Sequence, residues 1–224
     1  VAFVLLVVGA GLLYLSEVLL ARWMGGADEF GHFALAFSCA QVVGIFAGLG
    51  LPLAVLRFLP QYLEHAERAR LAGLVRVGRL VPVLIGTSCA VIGTVATQLV
   101  DVGNFRGVLL AAFWLAPLLA LVDWHRQAFR SLGRIVLSLS LVQVLQPVLV
   151  ICGGCAVIEA TGGLSWADGL WVLAGATTLV LAVQWTLWRR VLPAPETPVK
   201  PIFEPRLWLG VALPMLLVQE SYLI

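Results

Sequence analysis

The sequence predicts an all-α fold, a polytopic transmembrane helical bundle, on the evidence of its composition, its apolar runs and its arginine distribution. Of its 224 residues, 61% are apolar and 12% are charged, and the mean hydropathy is +1.02. A soluble domain is about half apolar and about a quarter charged. The net charge of only +2, without a basic stripe between aromatic residues, argues against a nucleic-acid partner. The expected surrounding is a lipid bilayer.

The apolar runs have the length of membrane-spanning helices. A helix rises about 1.5 Å per residue, so about 20 residues cross a hydrocarbon layer of roughly 30 Å. The runs lack the period-two alternation of membrane β-barrel strands. The sequence therefore predicts a seventh span that begins near residue 207 and six complete spans at 1–21, 32–56, 80–100, 107–124, 135–158 and 168–188. Both chain ends lie within apolar runs, so we expect a piece of a longer protein.

The basic residues predict the orientation. Arg22 and Arg106 lie on one set of alternate connections. The other twelve of the 14 lie on the opposite set, namely Arg57, Arg68, Arg70, Arg76, Arg79, Arg126, Arg130, Arg134, Arg189, Arg190, Lys200 and Arg206. Short loops rich in Arg and Lys stay in the cytoplasm. We therefore predict a multi-pass protein of the cell (inner or plasma) membrane with a cytoplasmic N-terminus and outer loops at 22–31, 101–106 and 159–167.

Two cytoplasmic connections carry further predictions. In segment 62–71, Glu64 and Arg68 are four residues apart, which favours a solvated helical turn, with a lipid-headgroup contact as the alternative. The last connection has a proline density that excludes a helix and favours an extended linker, with Pro193, Pro195, Pro198, Pro201 and Pro205. The chain thus divides into an N-terminal six-helix lobe, a linker and the start of a second lobe, at 1–188, 189–206 and 207–224.

Three local patterns follow one another along the chain. The first is Leu20-Ala21-Arg22-Trp23-Met24-Gly25-Gly26-Ala27-Asp28-Glu29-Phe30-Gly31-His32-Phe33-Ala34-Leu35. The second joins Gly48-Leu49-Gly50-Leu51-Pro52 to Arg57-Phe58-Leu59-Pro60-Gln61-Tyr62, and the third is Gln127-Ala128-Phe129-Arg130-Ser131-Leu132-Gly133-Arg134. Together they resemble the polysaccharide and oligosaccharide flippases of O-antigen and capsule export, a family of the multidrug/oligosaccharidyl-lipid/polysaccharide transporter superfamily.

The resemblance covers essentially the whole chain and implies both an architecture and a cargo. The architecture would be a two-lobed transporter of twelve or more helices around a central cavity, working by alternating access. The cargo would be a lipid-linked oligosaccharide, moved from the cytoplasmic to the outer leaflet for cell-surface polysaccharide biosynthesis.

Polar side chains inside the spans are the candidate transport residues, because such groups are costly in a membrane. Glu17 and Glu220 are candidates for coupling to a cation or proton or for gating between the lobes, and the alternative that we favour is that each pairs with a polar neighbour or reaches the interface. Gln41, Gln143 and Gln146 are candidates for binding sugar hydroxyls, with hydrogen bonding between helices as the alternative that we favour.

Two arginines are candidates for holding a pyrophosphate group. Arg57 and Arg126 lie near the cytoplasmic ends of spans two and four, and paired guanidinium groups bind phosphate oxygens well. The alternative that we favour is that they only determine topology.

Other residues favour structural roles. His125 lies at an interface, and Gly44 with Gly48 predicts close helix packing within the lobe. Pro147 predicts a bend in span five. The pair Cys152 and Cys155 has no second pair, so it favours small residues tolerated in a helix rather than a redox or metal half-site.

The sequence contains no metalloprotease, serine-hydrolase or phosphate-binding motif, so we expect no enzyme activity and no cofactor. A lipid-linked-oligosaccharide flippase is the leading hypothesis. A multidrug or cation antiporter of the same superfamily is the alternative within transport, and it would have a more acidic cavity. A membrane-embedded glycan-processing enzyme is the other alternative, and it would need a large loop or a cluster of catalytic groups.

Overall fold

The computed structural model describes residues 2–192 and 200–220, the last four of these as backbone only. These residues form nine α-helices: α1 Ala2–Trp23, α2 Ala27–Gly48, α3 Leu51–Glu64, α4 Arg68–Leu99, α5 Arg106–Ser131, α6 Ile135–Leu139, α7 Gln146–Thr161, α8 Trp166–Val191 and α9 Pro205–Glu220. The only strand-like feature in this part of the chain is an isolated bridge between Met24 and Leu164. Six helical segments are long and apolar enough to cross a membrane. The predicted all-α membrane bundle is confirmed.

The outside of the bundle is apolar, as a lipid-facing surface must be. Phe3, Ile92 and Trp171 expose 76%, 67% and 78% of their surface. Exposed apolar area of this extent on a soluble protein would be an aggregation site. In a bilayer it contacts acyl chains instead.

The predicted second span, 32–56, is wrong in its bounds. The helix α2 ends at Gly48, and Leu49 and Gly50 both adopt a left-handed backbone with φ of 48° and 68°. Pro52 lacks an N–H and could not donate to the carbonyl of Gly48 in a continuous helix, and it lies instead in the first turn of α3, where a proline is tolerated. One predicted span is therefore two helices joined by a kink.

The predicted connection between spans two and three is largely helical, because α3 runs to Glu64 and α4 begins at Arg68. The helical turn predicted from the spacing of Glu64 and Arg68 is interrupted, since the two residues belong to different helices. Arg70 carries the ion pairs instead, at 2.8 Å from Glu67 and 3.1 Å from Glu204.

Span five contains a wide turn. Between α6 and α7, Ser140–Leu145 forms a π-helical segment, and the three pieces make one continuous helix from Ile135 to Thr161. Pro147 cannot donate to the carbonyl of Gln143, four residues before it. The bend was predicted at Pro147, and the helix departs from regular α geometry in the π-helical segment just before that residue.

The arginine-poor connections meet at one end of the bundle, as their alternation predicted. There the Glu29 carboxylate accepts a hydrogen bond of 2.8 Å from the backbone N–H of Trp166. The centre of the His32 ring lies 5.6 Å from that of the Phe105 ring and 6.3 Å from that of the Trp166 ring. We call this the arginine-poor end. The opposite end, where α3, α5 and α8 terminate, is the arginine-rich end.

The helix α9 packs against α3 and the kink before it. Trp208 is fully buried, and its Nε1 donates a hydrogen bond of 3.0 Å to the hydroxyl of Tyr62. Burial raises the pKa of the Tyr62 hydroxyl. At Gly50 a Cβ atom would lie 2.2 Å from the carbonyl oxygen of Ala212, so only glycine allows this approach. The predicted start of a second lobe is thus a helix seated on the first six spans.

The proline-rich linker is described only at its edges. The helix α8 continues to Val191, residues 200–204 are not helical, and Pro205 begins α9. The exclusion of helix predicted for 189–206 is therefore met at 200–204 and is wrong at both ends of the connection, where α8 and α9 extend into it. Its central part, 193–199, lies outside the described residues.

Candidate functional site

A cavity of about 610 Å³ lies between α1, α2, α5 and span five. Its wall is mostly apolar, with the polar side chains Ser16, Glu17, Ser38, Gln41, Asp123, Arg126, Gln143 and Gln146. Ligand-binding pockets are typically about 300–1,000 Å³ and combine apolar walls with a few polar groups. The cavity therefore has the size and lining of a binding site.

The cavity collects five of the seven predicted site residues from four different spans, namely Glu17, Gln41, Arg126, Gln143 and Gln146. Arg57 does not line it. That residue is exposed on α3, with its guanidinium 5.6 Å from the Phe58 ring centre. The side chain of Glu220 lies outside the described residues.

The charged part of the cavity is an arginine with a partner one helical turn away. Arg126 Nη2 donates a hydrogen bond to Asp123 Oδ1, while the Nε of Arg126 is buried without a partner. Ser138 holds the backbone at this point by donating a hydrogen bond of 2.9 Å to the Arg126 carbonyl. One edge of the guanidinium is neutralised, and the other is left with a free donor.

Asp123 was not among the predicted site residues, although its spacing of three from Arg126 on a helix was a usable signal. The side chains of Arg126 and Asp123 are 34% and 29% exposed, so the pair is reached from the cavity.

The two glutamines of span five have different surroundings. Gln146 Nε2 donates a hydrogen bond of 3.1 Å to Thr177 Oγ1 on α8, which is the helix-to-helix role that we favoured. Gln143 Oε1 is buried and has no hydrogen-bond partner among the described residues. Of the two glutamines, Gln143 is the one whose side-chain oxygen is left unpaired by them.

Glycines bring the helices around the cavity close together. At Gly9 on α1, a Cβ atom would lie 2.7 Å from Cβ of Gln143, so α1 lies directly against the π-helical segment. At Gly44 a Cβ atom would lie 3.2 Å from the Ala116 carbonyl, which confirms the predicted packing role of this glycine. The nearest atoms to Gly48 belong to Pro52, so that glycine serves the kink instead.

A second cluster lies at the arginine-rich end, outside the cavity. The guanidinium carbon of Arg79 lies 4.2 Å, 5.1 Å and 5.5 Å from the ring centres of Trp185, Trp188 and Trp124. We call this group of four residues the tryptophan cage. Arg79 was predicted only to determine topology, and the concentration of Trp around 185–188 was the signal that it had a second environment.

His125 lies beside the tryptophan cage and not in the cavity. It is buried, its Nδ1 is 2.9 Å from the Leu121 carbonyl, and its ring is 5.0 Å from that of Trp124. These contacts agree with the structural role predicted for it.

The described residues contain no group of His, Cys, Asp and Glu side chains that could hold a metal ion. Cys152 and Cys155 are exposed free thiols. Neither a family model, nor a curated protein, nor a solved structure matches this chain. Its function must therefore be argued from the cavity itself.

Proposed function

We propose that the chain is part of a membrane transporter that moves a lipid-linked oligosaccharide from the cytoplasmic to the outer leaflet by alternating access. The observation that supports this proposal is the cavity, which joins an apolar wall to Arg126 and three glutamines. We further propose that the chain carries out transport only and no covalent chemistry.

The cavity lining fits the three parts of such a cargo. The part of the Arg126 guanidinium that is exposed in the cavity can donate to a phosphate oxygen, and charge-assisted hydrogen bonds of this kind are strong and directional. Gln143 and Gln41 can bind sugar hydroxyls, and the apolar wall can contact the lipid. Asp123 neutralises part of the charge of Arg126, which keeps the phosphate from binding too tightly to leave.

The loading side follows from the charge pattern. Arg-rich loops favour the cytoplasm, so the arginine-rich end would face inward and the N-terminus would be cytoplasmic. Arg126 is five residues from the end of α5 at that side. Glu17 is six residues from the opposite end of α1, about 9 Å by helical rise. In this arrangement Arg126 receives cargo from the cytoplasmic side, and Glu17 couples a proton or cation nearer the outside.

One observation favours a second candidate, a cation antiporter. Glu17 lines the cavity and has no basic partner among the described residues. An unpaired carboxylate attracts a small cation. The cavity nevertheless holds Arg126 as well, and an antiporter for cationic drugs gains nothing from an arginine with a free donor edge.

The test uses a strain that lacks the full-length protein, provided that no second flippase is present. We expect lipid-linked oligosaccharide to accumulate on the cytoplasmic face and surface glycan to be lost. Re-expressed protein with Arg126→Gln should fail to restore export, whereas Arg57→Gln should restore it, because Arg57 lies outside the cavity.

Normal surface glycan in the deleted strain would refute the flippase. Glu17→Gln separates the two transport functions. Loss of export of a cationic dye, with surface glycan intact, would favour the antiporter. Expression levels in the membrane fraction must match for all variants.

A further inference from the structure

We propose that Arg79 and Arg189, which both contact Trp185, form a binding site for the phosphate group of an anionic membrane lipid. Both guanidinium groups contact the same indole ring, at 4.2 Å for Arg79 and 5.8 Å for Arg189. This site is separate from the cavity, since neither arginine lines it. The proposal therefore does not depend on the proposed function.

Arg79 carries a positive charge that no carboxylate among the described residues pairs. Ion pairs between described residues involve Arg70 and Arg126, and Arg79 takes part in none of them. The guanidinium group of Arg189 lies over the same indole ring as that of Arg79, and the two positive charges repel each other. Two like charges that share one ring without a carboxylate are unfavourable alone, and an anion from outside the described residues would relieve the repulsion.

The tryptophan cage fixes the orientation of the Arg79 guanidinium. The Nε and Nη2 atoms of Arg79 are buried against the cage and have no hydrogen-bond partner. The tryptophan faces stabilise the cation through their π electrons and hold its plane in one orientation. Nη1 is not among the buried unpartnered atoms and forms no hydrogen bond with a described residue, so this edge of the guanidinium is accessible. A pre-oriented guanidinium edge beside the exposed Arg189 suits the oxygens of one phosphate.

The site lies at the level where lipid phosphates are expected. Arg189 lies in the last turn of α8, at the arginine-rich end, and Trp185 is 41% exposed. Tryptophan concentrates where the hydrocarbon layer meets the headgroups, which is also the level of lipid phosphates. Basic pockets between transmembrane helices at this level bind anionic headgroups. A lipid is therefore a better occupant than a soluble phosphate, because its acyl chains also cover the exposed indole.

The test measures lipid retention by the full-length protein. The protein is purified in detergent, mixed with phosphatidylglycerol or phosphatidylethanolamine, and examined by native mass spectrometry. We expect phosphatidylglycerol to bind preferentially, and Arg79→Gln to weaken its binding roughly tenfold, the effect of one lost charge-assisted hydrogen bond. Arg189→Gln should act in the same direction. Arg190→Gln is the matched control, because Arg190 is exposed on the same turn and contacts no Trp ring.

Three results would overturn the proposal: equal losses for Arg79→Gln and Arg190→Gln, no loss for Arg79→Gln, or displacement of the lipid by an equimolar amount of inorganic phosphate. If Arg79→Gln does not fold, Arg79→Lys keeps the charge but not the planar fork, and it should give a smaller loss that Arg190→Lys does not show. Arg126→Gln should abolish export while leaving lipid binding unchanged, which separates failure of this proposal from failure of the proposed transport function.

Discussion

Two arginines in neighbouring parts of the bundle, Arg126 and Arg79, are both half-buried and yet have opposite surroundings. Arg126 has a carboxylate one turn away on its own helix and lines the cavity. Arg79 has three indole rings from two other helices and no carboxylate among the described residues. The first is stabilised by charge, and the second by polarisable surface.

The difference determines what each arginine can do. A carboxylate lowers the net charge of the site, so Arg126 can bind an anion and release it, as a transport cycle needs. An aromatic cage leaves the full charge in place, so Arg79 favours a ligand that stays. If both proposals hold, the same residue type serves transient binding in the cavity and lasting attachment at the membrane surface.

The largest expected effect comes from disturbing the tryptophan cage. At Gly78 a Cβ atom would lie 2.0 Å from Nε1 of Trp124, so Gly78→Ala must displace this fully buried ring. We expect a loss of about 2–3 kcal/mol in the free energy of unfolding, the upper part of the range for overpacked sites. The measurement is unfolding in detergent. The control is Gly175→Ala in α8, where a Cβ atom meets nothing within 4 Å and stability should stay the same or rise. Equal effects at both glycines would contradict the close packing of the cage.

The same substitution at both arginines should have different consequences for stability. Arg126→Met leaves Asp123 without its partner, and we expect a loss of about 1–2 kcal/mol. Asp123→Asn in the same chain should recover part of it. Arg79→Met removes a charge that has no carboxylate partner, so lost cation–π contacts and relieved desolvation should offset each other to within about 1 kcal/mol. A larger loss in the free energy of unfolding for Arg79→Met than for Arg126→Met would contradict the expected difference between the two arginines.

The smallest expected effect distinguishes two glutamines of the cavity. Gln146→Leu loses the hydrogen bond to Thr177, and we expect about 1 kcal/mol of destabilisation. Gln143→Leu loses no hydrogen bond to a described residue and should leave stability nearly unchanged while reducing export. Both are measured by thermal unfolding and by surface glycan in cells. Normal export with Gln143→Leu would remove this residue from cargo binding.

Much of the architecture could be predicted from local pattern, and its failures are informative. The apolar runs predicted all six spans because burial in lipid requires about 20 apolar residues in each case. The bounds of the second span failed at Gly48, because hydropathy does not register the left-handed residues 49–50 or the proline at 52, which lies in the first turn of the new helix α3. The helical turn predicted from the spacing of Glu64 and Arg68 failed because the helix breaks at 65–67, between α3 and α4.

The sequence by itself determined the helices, their alternation between two ends and the polar residues that lie within the membrane. These follow from transfer free energies and charge, which act on each segment separately. Only the tertiary structure decided which predicted site residues share one cavity, namely Glu17, Gln41, Arg126, Gln143 and Gln146. Arg57 lies outside that cavity. The tertiary structure also decided that Arg79 meets three indoles from two other helices, because such meetings depend on how glycines such as Gly9 and Gly78 let particular helices approach.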